Sequence, residues 1–231
     1  MCAPLVLIAL HLDRPAEVIA SMLREQGYRV ERTADGAAAE RALLELSPDA
    51  LLLGVHLPDC DPWKLLGRVR AVNDMPVLLF SAEYVADDAI RAYREGADDY
   101  LSYLTPSAEG FPRIVRRLTR RVPCAAGAAR AAAPQNGLQV DAATRAASAD
   151  GVPLALTALE FDLLSTFAEH PGQALTYEQL LRLVWHDAAD SGHARVKYAV
   201  LRLRRKIAAA TGDTTWISTV RGVGYRYRLP E

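Results

Sequence analysis

Cysteine is scarce in this chain. The 231 residues hold three, Cys2, Cys60 and Cys124, odd in number and far apart. No CxxC pair and no Cys/His ligand spacing occurs, which removes a disulfide framework and a structural zinc site from consideration. Isolated thiols fit a reducing compartment. Long apolar runs are lacking as well. The stretch "APLVLIAL" falls well short of the ~20 residues that cross a bilayer, and no basic segment precedes it. It reads as a buried strand, so we expect a cytoplasmic protein without membrane contact. Aromatic residues make up only 7%, and the formal net charge is −1. With 51% hydrophobic and 24% charged residues, the composition is that of a folded protein of one or two domains.

The near-zero charge hides an asymmetry. Residues 1–121 carry 15 basic and 18 acidic side chains, whereas residues 190–228 carry 9 basic and 2 acidic. A basic cluster of that kind suits a polyanion; charge alone leaves a solvated helix face as an equal reading.

Short apolar runs alternate with helical patterns from residue 4 to residue 120. Strands are expected at 4–9, 28–32, 50–55, 76–80 and 100–103. Helices are expected at 15–26, 36–46, 63–72, 86–95 and 107–121. Val18, Ile19, Met22 and Leu23 form an apolar stripe in the first helix, and Gly27 and Gly96 stand where helices stop. Strands joined by helices in this order give a (βα)5, doubly wound parallel sheet of the α/β class. Residues 122–136, "VPCAAGAARAAAPQN", change character and read as a linker.

Residues 137–231 begin with strand-like pieces at 138–140, 145–148 and 152–156. Asp150-Gly151 is a hairpin turn between the last two. Thr157 with Glu160, and Thr176 with Gln179, form two capping boxes. A third helix, at 193–210, places Val196, Val200, Leu203 and Ile207 on one face. Arg195, Lys197, Tyr198, Arg202, Arg205 and Lys206 fall largely off it. A helix with one apolar and one basic side can dock on a core and enter a major groove. The hairpin "ISTVRGVGYRY" then puts Arg221 at a tip bounded by Gly222 and Gly224. A basic tip on a two-stranded ribbon suits the minor groove or the backbone.

Four motifs in register, "LTALEFDLL", "LTYEQLLRLVW", "VKYAVLRLRRKI" and "ISTVRGVGYRY", resemble the winged helix-turn-helix domain of OmpR/PhoB-type response regulators. That resemblance implies double-stranded DNA as partner. It makes Arg195, Lys197, Tyr198, Arg202 and Arg205 recognition-helix candidates, and Thr219 and Arg221 wing candidates. One departure is Lys197, where the family usually has an acidic residue.

The N-terminal half resembles the receiver domain of the same family, on "REQGYRV", "ADG", "PDALLLGVHLP", "MPVLLFSA" and "EGADDYL". The resemblance puts the phosphate-accepting aspartate at Gly54, the acidic pair at Leu10 and His11, and the phosphate-contacting lysine and its proline at Tyr103 and Leu104. Of that pocket only the hydroxyl position, Ser81, survives. Glycine cannot form an acyl phosphate, and neutral groups cannot replace the charge that draws a hard cation. Asp13, Asp59 and Asp61 are the nearby acids that could substitute. His11, His56 and Cys60 share the same mouth, and we expect no metal site there and no cofactor.

By the same resemblance, a dimer face would comprise the fourth helix, fifth strand and fifth helix. Ile90, Tyr93 and Phe111 are its apolar positions. Asp98, Asp99, Glu109 and Arg113 are its charged ones, and Tyr100 is the switch aromatic. The expectation is an atypical, orphan-type regulator that is not an enzyme. It would bind DNA without phosphorylation, as a homodimer, with RNA polymerase as a further partner. The alternatives are a small ligand in the emptied pocket, or an adaptor that recruits a protein partner.

Overall fold

A computed structural model describes residues 3–102, 137–186, 192–213 and 215–228. The expected fifth helix (107–121) and the linker (122–136) lie outside the described residues. The chain divides into two compact units, Met1–Arg120 and Arg121–Glu231.

The first unit runs β1 (Leu5–Ala9), α1 (Asp13–Glu25), β2 (Arg29–Thr33), α2 (Gly36–Leu46), β3 (Ala50–Gly54), α3 (Pro62–Val72), β4 (Val77–Ser81), α4 (Ala86–Glu95) and β5 (Asp99–Ser102). The strands form one sheet in the order β2-β1-β3-β4-β5, and every pair is parallel. β1, β3 and β4 are buried along their whole length, which is why they read as continuous apolar runs rather than alternating ones. Strand order reverses between β1 and β3, so a crevice opens beyond their C-terminal ends. Leu10, Gly54 and Ser81 all fall at that end.

One stripe is corrected. α1 buries Ala16, Ile19, Ala20 and Leu23, while Val18 is 58% exposed. Small alanines allow close packing against the sheet and rotate the buried face away from Val18. Elsewhere the helix signals hold. Asp35 caps α2 through the Ala38 N–H at 2.7 Å, and Gly96 ends α4 at φ 112°.

The second unit contains β6 (Leu138–Asp141), β7 (Ala146–Ala149) and β8 (Val152–Pro153) as an antiparallel sheet. Asp150 and Gly151 both take positive φ, 49° and 77°, as a tight hairpin requires. α5 (Ala158–Glu169), β9 (Ala174–Thr176), α6 (Tyr177–Leu180) and α7 (His193–Thr211) follow; α6 continues as a π-helical turn, Leu181–Trp185. Both capping boxes are formed in full. β10 (Ile217–Val220) and β11 (Gly224–Tyr227) form the final hairpin.

β9 is a strand that no periodicity announced, because three residues are too few to show one. It pairs with β11 and makes the hairpin three-stranded. A Cβ at Gly224 would lie 2.0 Å from the Leu175 carbonyl oxygen, so only glycine fits there. The core of this unit joins Leu159, Phe167, Leu180, Val200, Trp216 and Tyr225, so helices and wing share one apolar interior.

Candidate nucleic-acid interface and the pocket at Gly54

At the end of β3 the backbone of Gly54 faces Leu10. An ideal Cβ on Gly54 would sit 2.8 Å from Leu10 Cδ2 and 3.3 Å from the Ala9 carbonyl oxygen. Leu10 is itself buried in a cluster with Ile8, Leu52 and Phe80. An apolar side chain has taken the space in which a residue at position 54 would begin. The recess left among Leu10, His11, Gly54, His56, Phe80 and Ser81 is about 10 Å³, room for roughly one water.

The three nearby acids are engaged elsewhere. Asp59 accepts hydrogen bonds from the Gly36 and Ala37 N–H groups at 2.6 and 2.9 Å, which hold its carboxyl below the usual range. Asp61 caps α3 through the Trp63 N–H at 2.9 Å. Asp13 meets Arg32 at 3.2 Å. His11 Nδ1 lies 2.8 Å from the His56 carbonyl oxygen. Cys60 packs against Gly36, where a Cβ would lie 2.1 Å from its Sγ. Among the described residues, no three His, Cys, Asp or Glu side chains converge as metal ligands.

Ser81 is buried, and beside it lies Tyr100. Burial raises the Tyr100 hydroxyl above its ordinary value, while the neighbouring Ser81 hydroxyl and Val85 backbone pull against it. The ring meets Tyr84 edge-on at 5.6 Å. Tyr103 lies outside the described residues, as do Leu104, Glu109, Phe111 and Arg113.

The described part of the expected dimer face is mostly interior. Ile90 is exposed, but Tyr93, Asp98, Asp99 and Tyr100 are buried. Reading Asp98 and Asp99 as surface charges is therefore corrected. Asp98 pairs with Arg70 at 2.6 Å and accepts the Val77 N–H at 2.8 Å, tying α3 to the sheet. Asp99 accepts the Tyr100 N–H at 2.9 Å. A charged residue in a strand buried on both sides turns inward when a backbone amide or a cation can meet it there.

In the second unit α7 buries Val196, Ala199, Val200, Leu203 and Ile207. His193, Lys197, Leu201 and Arg205 recur every fourth residue on the solvent side, with Tyr198 half-buried beside them. Two sequence candidates are placed differently than expected. Arg195 is buried, because it lies one turn from buried Ala199 on the same side of the helix. Arg202 turns toward Glu160, 3.4 Å away, and Lys206 reaches the same carboxylate at 2.9 Å. Glu160 is 1% exposed, and burial pushes its carboxyl up. The Lys206 and Arg202 charges and the Thr157 N–H outweigh that and hold it below the ordinary value.

Sequence reasoning missed Arg204. Its Nε donates to the Ile217 carbonyl at 2.7 Å and its NH2 donates to Thr219 Oγ1 at 2.9 Å. Its guanidinium stands 5.3 Å from the centre of the Tyr225 ring. This one side chain ties α7 to both strands of the wing, so Thr219 is held before any ligand arrives. The Tyr177 and Tyr225 hydroxyls share a hydrogen bond at 3.3 Å; burial first and then Tyr177 push the Tyr225 hydroxyl upward. The only signal for Arg204 was its place beside the apolar stripe. At the wing tip the Val223 N–H donates to the Val220 carbonyl at 3.0 Å, and Gly222 takes φ 73° in the third turn position. Arg221, in the second, projects into solvent.

A parallel α/β unit followed by a winged helix with a basic exposed helix face defines a two-domain, DNA-binding regulator. Residues 13–104 match the model of the response regulator receiver domain, and residues 151–227 match that of the transcriptional regulatory protein C-terminal domain. The transcriptional regulatory protein PrrA of Mycobacterium leprae is 38% identical over 98% of this chain and 97% of its own length. AfsQ1 of Streptomyces coelicolor, also a transcriptional regulatory protein, is 34% identical over 90% of this chain and 91% of its own. A RitR mutant structure superposes with a TM-score of 0.66 at 22% identity, covering 97% of this chain and 99% of that one. The chain belongs to the OmpR/PhoB family of DNA-binding response regulators.

Proposed function

We propose that this regulator binds promoter DNA without aspartyl phosphorylation. The observation that carries the reading is Leu10 Cδ2, 2.8 Å from where a Cβ on residue 54 would stand. The acceptor is absent, and its space is filled from the position where the family's acidic pair would lie. Magnesium requires several oxygen ligands, usually carboxylates and waters. Leu10, His11 and Gly54 supply no carboxylate, Asp59 and Asp61 accept backbone N–H groups, and Asp13 points into solvent beside Arg32. The residues present do not fit that ion. A recess of about 10 Å³ also gives the small-ligand reading little support.

On this reading Lys197, Tyr198 and Arg205 face the major groove, and Arg221 enters the neighbouring minor groove. Arg202 and Arg195 shape the domain from within, and Arg204 positions the wing. The protein is a homodimer acting in the cytoplasm. Ile90 is the exposed described residue of the pairing face; RNA polymerase is a further partner. Among the described residues, no helix is long and apolar enough to cross a membrane.

Mobility-shift titration of purified, unphosphorylated protein against its promoter DNA tests this directly. We expect specific binding that acetyl phosphate leaves unchanged, and no shifted band on a phosphate-affinity gel. Binding that appears only after phosphorylation would overturn the reading.

A further inference from the structure

The solvent side of α7 carries one large apolar side chain where cations would be expected throughout. Leu201 is 36% exposed and lies midway between Lys197 and Arg205, one turn from each. It takes no part in the core, which α7 reaches through Val196, Val200, Leu203 and Ile207. On a helix that fills a major groove, cations one turn to either side would bring an intervening residue close to the base edges. The apolar feature there is the C5 methyl of thymine, which aliphatic side chains contact.

We propose that Leu201 is a specificity residue that reads a thymine methyl in the half-site. This rests on the DNA-binding reading above and adds a base preference to it. Charge complementarity argues for the occupant: Lys197 and Arg205 flank the leucine, so a polyanion is favoured over an apolar protein surface. The inward turn of Arg202 toward Glu160 strengthens the assignment, because it leaves Leu201 rather than that arginine on the outer face. Excluding water from one methyl group contributes a factor of about four in affinity.

The test uses full-length protein and duplex selected from a random-sequence library. Each thymine of the selected site is replaced singly by uracil, which removes only the methyl group. We expect one uracil position per half-site to weaken wild-type binding by about fourfold. Leu201→Ala should bind thymine and uracil duplexes equally, while keeping its salt dependence. Equal binding of every uracil duplex by the wild type refutes the thymine contact and leaves DNA recognition intact. A uracil effect that persists undiminished in Leu201→Ala assigns the methyl to another residue. Failure to select any duplex overturns both readings together.

Discussion

At the scale of single residues, absence and replacement have different consequences. Gly54 alone would be a lost nucleophile, open to restoration by one substitution. Leu10 changes that, because its tip already occupies the place of the missing side chain. Gly54→Asp must displace Leu10 from a packed cluster and bury a carboxylate without a cation. We expect this variant to lose ~1–3 kcal/mol of stability, as overpacked cores do. It should remain unlabelled by acetyl phosphate. Thermal melting and a phosphate-affinity gel measure the two outcomes; efficient labelling would show that Leu10 yields easily and that the pocket is only one residue from function.

Asp98 is the counterpart lesson among residues. Its position in "EGADDYL" made it a surface charge, yet it is 3% exposed and bound to Arg70. The arginine comes from α3, 28 residues earlier, and also donates through Nε to the Gly96 carbonyl at 2.7 Å. Nothing local in the sequence announces that pairing.

Among elements, α5 and α7 are joined by the buried carboxylate of Glu160. It closes a capping box on α5 and meets Lys206 and Arg202 of α7. Its folded pKa lies below the ordinary 4.5. The sign follows: the contribution to stability is fully present above 4.5 and is lost as pH falls through the depressed folded value. Glu160→Gln should cost about 3 kcal/mol near neutral pH, because two cations lose their buried partner. It should also flatten the acid limb of the stability curve. Trp185 and Trp216 lie in this unit's core, so a Trp63→Phe background lets fluorescence report on it alone. An acid limb unchanged in the glutamine variant would remove Glu160 as its source.

The same scale shows why the elements themselves were legible. Strands buried on both faces need continuous apolar runs, and α7 needs apolar residues three and four apart. Capping boxes are local by construction, and both were read correctly. β9 was not, since its three residues acquire strand character only by pairing with β11.

For the whole molecule, DNA binding is a matter of which cations remain free to meet phosphate. Each phosphate contact contributes about −0.9 to the slope of log affinity against log salt. Lys197→Ala and Arg221→Ala should each reduce the slope's magnitude by about 1, with little change in melting temperature. Arg202→Ala should do the reverse, lowering stability through Glu160 while leaving the slope nearly unaltered. Salt titrations of the shift assay, paired with thermal melts, separate the two groups. A full unit of slope lost in Arg202→Ala would mean that it leaves Glu160 for DNA.

By itself the sequence determined the fold class and the winged helix with its capped helices, and it placed glycine where the receiver resemblance expects the phosphate-accepting aspartate. The elements and caps follow from local periodicity; the winged helix and the acceptor position follow from the family resemblance. It did not determine the fate of the polar side chains. Arg195, Arg202, Asp98 and Asp99 were each given to a surface, and each lies wholly or largely inside. Arg204 was overlooked, and it fastens the wing. Asp98 and Arg202 turn inward because partners from distant segments, Arg70 and Glu160, offset their desolvation, and only the tertiary structure brings such partners together. The same holds at Gly54. The sequence placed glycine at that position, and the fold decided that the tip of Leu10 stands against it.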